Sequence, residues 1–384
     1  MNPLYESMAT SVFERMSLAA AARGAINLGQ GFPDFGWEPA MLAEAALALA
    51  EGSNQYAPSR GLPVLREAVA AHYGRHFGQT LTADQLCVTS GATEAIAAAL
   101  LATVSPGDEV IVMTPAYDAY APLVRRAGGV VREVTLRPPG WRIDRDALQA
   151  AVTPRTRAII LNNPHNPTGR LFDRDELAAV AAVAVAHDLI VIADEVWEYV
   201  LLDGQRFTPI ATLPGMAART IKCGSAGKIF SLTGWKIGWL VAAPELAALA
   251  ARAHQFLTFA SAPNLQAAVA YGLNEGDGWL DPMRVRFARA RNRLAAGLTE
   301  TGYAVLPSAS TYFLCVDLAA SGIVLDDEAF AALALDQAGV AVIPLSPFAE
   351  VAPPRHLIRL CFAKQDATID AGVAALSRAR ELAA

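Results

Sequence analysis

Short apolar runs rich in Val and Ile recur through the first two thirds of the chain, at 86–89, 109–113, 130–136, 158–161, 189–193, 220–223 and 239–242. Runs of this length, bounded by turn residues, read as strands. Between several of them the apolar positions fall three and four apart, as in 93–103 and 173–187, which is the period of a helix with one face on a core. Strand and helix alternating in this way build an α/β fold, a mostly parallel sheet with helices on both faces. Beyond residue 280 the rhythm changes. A long helical pattern over 281–302 is followed by a strand at 312–317, a helix from 326, and strands at 340–343 and 357–361. This second pattern reads as a smaller α+β unit. The expected division is an N-terminal arm that joins the small domain (1–44), a large domain (45–280) and a C-terminal small domain (281–384). There is no internal repeat and no low-complexity linker.

Composition narrows the function. The 384 residues are 53% hydrophobic and 18% charged, enough to bury a large core, and the net charge of −6 offers no basic patch for nucleic acid. Apolar runs such as 177–186 are shorter than the roughly 20 residues that span a bilayer. The N-terminal stretch carries Glu6 and Glu14 and has no basic start, so it reads as neither signal nor transit peptide, and the cytoplasm is expected. Cys87, Cys223, Cys315 and Cys361 lie far apart with no CxxC, so no disulfide framework and no metal site are expected. Of 31 Lys plus Arg only Lys222, Lys228, Lys236 and Lys364 are lysine, and three of these fall within fifteen residues. A lysine kept in an arginine-rich chain draws attention to chemistry arginine cannot do, nucleophilic attack by a free amine. Codon bias would give the same count.

Ligands in open α/β sheets sit beyond the carboxyl ends of the strands, and the residues there form a set. Ser90-Gly91-Ala92-Thr93 opens a helix, where free amides and the helix dipole can hold a phosphate, although strand–Gly–helix is also ordinary packing. Pro115-Ala116-Tyr117-Asp118-Ala119-Tyr120 brings an aromatic ring to the sheet edge. Asn162-Asn163-Pro164-His165-Asn166-Pro167-Thr168-Gly169 is a dense turn with amide donors. Asp194-Glu195 ends a very apolar strand, and a carboxylate buried there needs a partner such as a protonated pyridine nitrogen. Gly224-Ser225-Ala226-Gly227-Lys228 supplies an amine in apolar surroundings. A P-loop reading fails, because Ile229 stands where Ser or Thr would bind Mg²⁺ and the Gly-Lys loop follows the Asp-Glu strand. No GxGxxG supports a dinucleotide fold.

With these residues in place the chain resembles the class I/II aminotransferases of pyridoxal 5'-phosphate (PLP) fold type I, and among them the kynurenine, glutamine and methionine aminotransferase branch. The resemblance rests on Ile26-Asn27-Leu28-Gly29-Gln30-Gly31-Phe32-Pro33-Asp34-Phe35, Asn54-Gln55-Tyr56, Asn166-Pro167-Thr168-Gly169, Ser225-Ala226-Gly227-Lys228 with Gly234-Trp235-Lys236, and Ile358-Arg359. Asn166, Asp194 and Lys228 fall 28 and 34 residues apart. The resemblance implies that Lys228 carries PLP as a Schiff base and then shuttles a proton. It further implies that Asp194 pairs with the pyridine nitrogen, Asn166 with the ring hydroxyl, and that Tyr117 stacks on the ring. Ala92, Thr93, Ser225 and Lys236 would hold the phosphate, with Tyr56 reaching in from the second subunit of a homodimer. Arg359 would clamp the substrate carboxylate with the Gly31 backbone and Asn166, and Phe13 would line the pocket.

One position departs from the family pattern. Trp197 stands where a Tyr usually meets the ring hydroxyl, and strand alternation is expected to turn Tyr199 away from that role. Phe13, Phe32 and the lack of a second substrate-reading Arg point to neutral, sulfur-containing or aromatic amino acids. The rivals are a C–S β-lyase using the same Lys228 and Arg359, a non-catalytic PLP-sensing module, and a PLP decarboxylase.

Overall fold

The computed structural model describes residues 1–384 apart from Ser7, Gly36, Trp37 and Ala384. Its strands are β1 (Ile26–Asn27), β2 (Leu86–Ser90), β3 (Glu109–Thr114), β4 (Val130–Thr135), β5 (Thr156–Asn162), β6 (Ile190–Asp194), β7 (Thr220–Ser225), β8 (Ile237–Val241), β9 (Ala304–Val305), β10 (Phe313–Asp317), β11 (Val340–Ala341), β12 (Ile343–Pro344) and β13 (Leu357–Cys361). Seven of them form one sheet in the order β2-β8-β7-β6-β5-β3-β4. Within it β8 runs antiparallel to both its neighbours and the other pairings are parallel, so the expected mostly parallel α/β sheet is present. Every residue of β3 and β6 is buried, as a sheet covered on both faces requires. That is why these strands show continuous apolar runs instead of alternation.

The element boundaries differ from the sequence expectation in instructive ways. The helix expected at 93–103 begins at Gly91, directly on the end of β2. The helix expected at 173–187 is Arg174–Ala186, with Asp173 and His187 as its caps. Asp173 accepts from the Glu176 amide while the Glu176 side chain returns to the Asp173 amide. The expected single strand at 340–343 is two. β11 pairs in parallel with β1, whereas β12 pairs antiparallel with β13, so the chain changes sheets at Val342. Both partners demand apolar residues, which left the break invisible in the pattern.

One apolar cluster runs from Ile111, Ile159 and Val191 under the large sheet to Phe313, Leu360 and Leu376 around the four-stranded sheet β12-β13-β10-β9. The N-terminal segment pairs with β11 through β1 and is tied to the four-stranded sheet by the Cys361 amide, which donates to Leu28 O at 2.7 Å. Among the described residues no helix is long and apolar enough to cross a membrane.

Lys222 on β7 turns out to be structural. Its ammonium is buried between Glu195, at 2.8 Å, and Glu198, and lies 4.4 Å over the Tyr73 ring. Tyr73 in turn donates to Glu198 at 2.9 Å and accepts from the Trp239 indole at 2.8 Å. Burial alone would lower the ammonium, but the two carboxylates outweigh it and hold Lys222 above its usual range. Burial raises Glu198 to about 7. The network pins the backbone immediately after Asp194. Removing the cation leaves two buried carboxylates without a counter-charge, so Lys222→Met should cost about 3–5 kcal/mol in equilibrium urea unfolding. A loss below about 1 kcal/mol would show that the network does not hold this turn.

Candidate active site

The carboxyl ends of β2, β5, β6 and β7 open on one cavity of about 290 Å³, at the small end of the roughly 300–1,000 Å³ typical of ligand sites. Ala92, Thr93, Tyr117, Asn166, Asp194, Trp197, Ser225, Lys228, Lys236, Arg359, Gly31 and Phe13 all line it. Tyr56 is the exception among the residues singled out. It is 88% exposed and packs edge-on against Phe259, with ring centres 5.6 Å apart, away from the cavity.

At the middle of the cavity Asp194 ends β6 and is only 5% exposed. The Tyr120 hydroxyl donates to it at 2.5 Å and the Val196 amide at 3.4 Å, and among the described residues no side-chain cation forms an ion pair with it. Burial is the larger influence and raises the Asp194 carboxyl to about 6. A cation placed against it would recover that cost. Lys228 sits in the single turn Ala226–Ile229 that follows β7. Burial pushes its amine down to about 8, with the Asp194 charge pulling the other way. The amine donates to the Tyr312 hydroxyl at 3.3 Å and lies 4.8 Å from the centre of the Trp197 ring.

The phosphate-like end is built by close backbone approach. Gly91 adopts φ +72°, and a Cβ on Gly238 of β8 would come within 2.5 Å of the Gly91 carbonyl carbon. Glycine at 238 therefore lets the helix Gly91–Thr103 start directly on the sheet, with its first amides, which have no intrahelical acceptor, at the cavity. Lys236, held at φ +56°, brings its ammonium beside Gly91, and Ser225 supplies a hydroxyl at the end of β7. Together they form an anion cradle.

The opposite end belongs to Arg359. It is 1% exposed on β13, directly across from Cys315 of β10. Its guanidinium donates to Asn166 Oδ1 at 2.8 Å and to Gly29 O at 3.0 Å, and lies 3.8 Å from the Phe313 ring centre and 4.7 Å from that of Phe13. Burial lowers it to about 10, and its Nε has no partner. The backbone group that holds Arg359 is thus Gly29. Gly31 lines the cavity, and its carbonyl accepts from Tyr312 at 2.7 Å.

Trp197 and Tyr199 lie in a turn after β6 and not on the strand, so strand alternation is not what separates them. Tyr199 does face elsewhere, packed against His72 and His76. Trp197 meets Tyr312 edge-on at 4.4 Å and shows its ring face to Lys228. Tyr312, expected as the first residue of a strand, lies just before β10 and is the phenol that reaches the amine. Tyr120, noted only as part of its segment, is the phenol that reaches Asp194.

The model of aminotransferase class I and II matches residues 23–376. The chain is 47% identical over 382 residues to a probable N-succinyldiaminopimelate aminotransferase, DapC, of Mycobacterium tuberculosis, covering 96% of each chain. It is 39% identical to the methionine aminotransferase of Escherichia coli, covering 98% of this chain and 96% of that one. The solved structure of N-succinyldiaminopimelate aminotransferase from M. tuberculosis superposes with a TM-score of 0.95 at 47% identity, covering 98% of this chain and 99% of that one.

The lowered amine has a kinetic consequence. An amine attacks a carbonyl only when unprotonated, so a lowered amine pKa moves the reactive fraction toward neutral pH. Covalent capture of PLP by the cofactor-free protein should rise about tenfold per pH unit below about 8 and level off above it. Stopped-flow absorbance checks this, and a rate still climbing beyond pH 10 would contradict the lowered amine.

Proposed function

Because the chain belongs to the class I and II aminotransferases, which are PLP-dependent transaminases, we propose that it moves the amine of a neutral, sulfur-containing or aromatic L-amino acid to a 2-oxo acid in the cavity around Lys228. The observation that carries this reading is the buried Asp194, without an ion pair among the described residues, set between an anion cradle and a buried guanidinium. Those three features fit PLP and an amino acid together: phosphate at Gly91–Thr103 with Ser225 and Lys236, pyridine nitrogen at Asp194, substrate carboxylate at Arg359. Bound there, PLP supplies a ring that takes up the negative charge left when the amino acid Cα loses its proton.

The side chains divide the remaining work. Lys228 would hold the cofactor through its Nζ and, once free, would take and return the substrate Cα proton at that atom. Tyr312 accepts a hydrogen bond from that Nζ and is itself anchored on Gly31 O, which fixes the direction in which the amine points. This supplies a phenol in a site where Trp197 offers none. Asn166 spends its Oδ1 on Arg359 and keeps its Nδ2 to donate to the ring hydroxyl. Arg359 offers a planar fork that matches a carboxylate, and the Phe13 and Phe313 faces against it exclude water.

Phe13 and Phe313 flank the carboxylate site, and the cations that line the cavity, Lys228, Lys236 and Arg359, all have roles in this scheme. None is left for a distal carboxylate, which favours neutral side chains. The 47% identity to the mycobacterial relative favours N-succinyldiaminopimelate as a second reading. Tyr56 serves the neighbouring cavity in a homodimer, and light scattering should give twice the 40.5 kDa of one chain.

The purified protein with PLP should absorb visible light. That band should bleach on adding methionine without oxo acid, and Lys228→Ala should abolish both. In steady state methionine or phenylalanine should exceed N-succinyl-diaminopimelate in kcat/KM by roughly tenfold or more. The reverse order would establish the second reading, and release of pyruvate from cystathionine without any oxo acid would establish a β-lyase.

A further inference from the structure

The structure assigns this chain a second site, for a divalent transition-metal ion of the zinc class. We propose that His72 and His76 of the helix Pro63–Phe77 and Asp277, just before the helix Leu280–Glu300, are its ligands. None of the three lines the cavity around Lys228, and the aminotransferase reaction makes no use of them.

Residues four apart on a helix share a face, so both imidazoles project together, with ring centres 4.3 Å apart. His76 Nε2 is 2.9 Å from Asp277 Oδ1 across 201 residues of sequence. One ligand atom from each of the three side chains lies within 4.8 Å of the others. Two imidazoles at H-x₃-H spacing and a carboxylate make an N₂O set that suits Zn²⁺, with water in the fourth position. An ion bound by all three would draw these atoms in to about 2.0–2.2 Å.

The independent sign of a ligand is His72. It is 1% exposed, yet neither of its ring nitrogens has a hydrogen-bond partner. A buried polar group left unsatisfied costs about 1–3 kcal/mol, and a metal bond would satisfy it. The Tyr199 hydroxyl is also buried without a partner, and its ring packs 5.0 and 5.1 Å from the two imidazoles.

The surrounding charges permit a cation. Lys222 is matched by Glu195 and Glu198, Arg75 donates to Leu273 O, and Asp277 brings a negative charge. His76 and Asp277 are partly exposed, which gives the ion a path from solvent. A bound ion would staple the loop before Leu280–Glu300 to the helix Pro63–Phe77 and would stabilise the folded chain by mass action.

The test uses the EDTA-treated holoenzyme. Calorimetric titration with ZnCl₂ should find one ion per chain and a raised Tm, and Co²⁺ should give the visible bands of a tetrahedral site. His76→Gln and Asp277→Asn should each weaken Zn²⁺ binding by more than about tenfold and remove the rise in Tm. Transamination in metal-free buffer should be unchanged in both variants. No Zn²⁺ binding, or binding of equal strength in the variants, would overturn the site.

Discussion

Asp194 is a carboxylate buried at the end of the central strand, with a phenol and an amide against it and, among the described residues, no ion pair. That deficit organises the cavity. Burial outweighs the Tyr120 and Val196 hydrogen bonds and lifts the carboxyl to about 6, so the free protein carries a poorly compensated group that a protonated heterocycle would stabilise. The same burial lowers Lys228 to about 8, and each of the two groups moderates the shift of the other. A carboxylate that prefers a cation and an amine that readily gives up its proton are what amine transfer through a pyridine ring requires.

The scaffold keeps Asp194 in that position from behind. Glu195 and Glu198 are locked by Lys222, and Lys222 lies against Tyr73, which also bonds Trp239 of β8. A Cβ on Gly224 would fall 2.3 Å from the Trp239 indole nitrogen and 2.7 Å from the Tyr73 hydroxyl, so this network closes only over a glycine. Gly238 does the same on the phosphate side, where it lets the helix Gly91–Thr103 begin on the sheet. Two glycines with no chemistry of their own thus set the distance between the anion cradle and the carboxylate.

Much of this was legible in the sequence because the chemistry follows the strands. Asn166, Asp194 and Lys228 stand just after apolar runs, and a parallel sheet brings such positions to one edge. What was hidden depends on contacts between distant segments. Tyr312 follows Asp194 by more than a hundred residues, and nothing in its local pattern announces that its hydroxyl meets Lys228. Arg359 is held by Gly29 O, a contact across 330 residues of sequence that no local pattern announces. The lysine cluster pointed to the cavity for Lys228 and Lys236, but Lys222 was kept for a buried ion network. Asp277 meets the two histidines only in the folded chain.

The most direct test is the Asp194→Asn protein, which keeps the size of the side chain and removes its charge. Equilibrium titration with PLP and single-turnover reaction with methionine should be compared with the unaltered protein. The account predicts cofactor affinity reduced by more than about tenfold and the single-turnover rate by about a hundredfold or more, because the charge that matches the ring nitrogen is gone. Unchanged affinity and unchanged rate would contradict it.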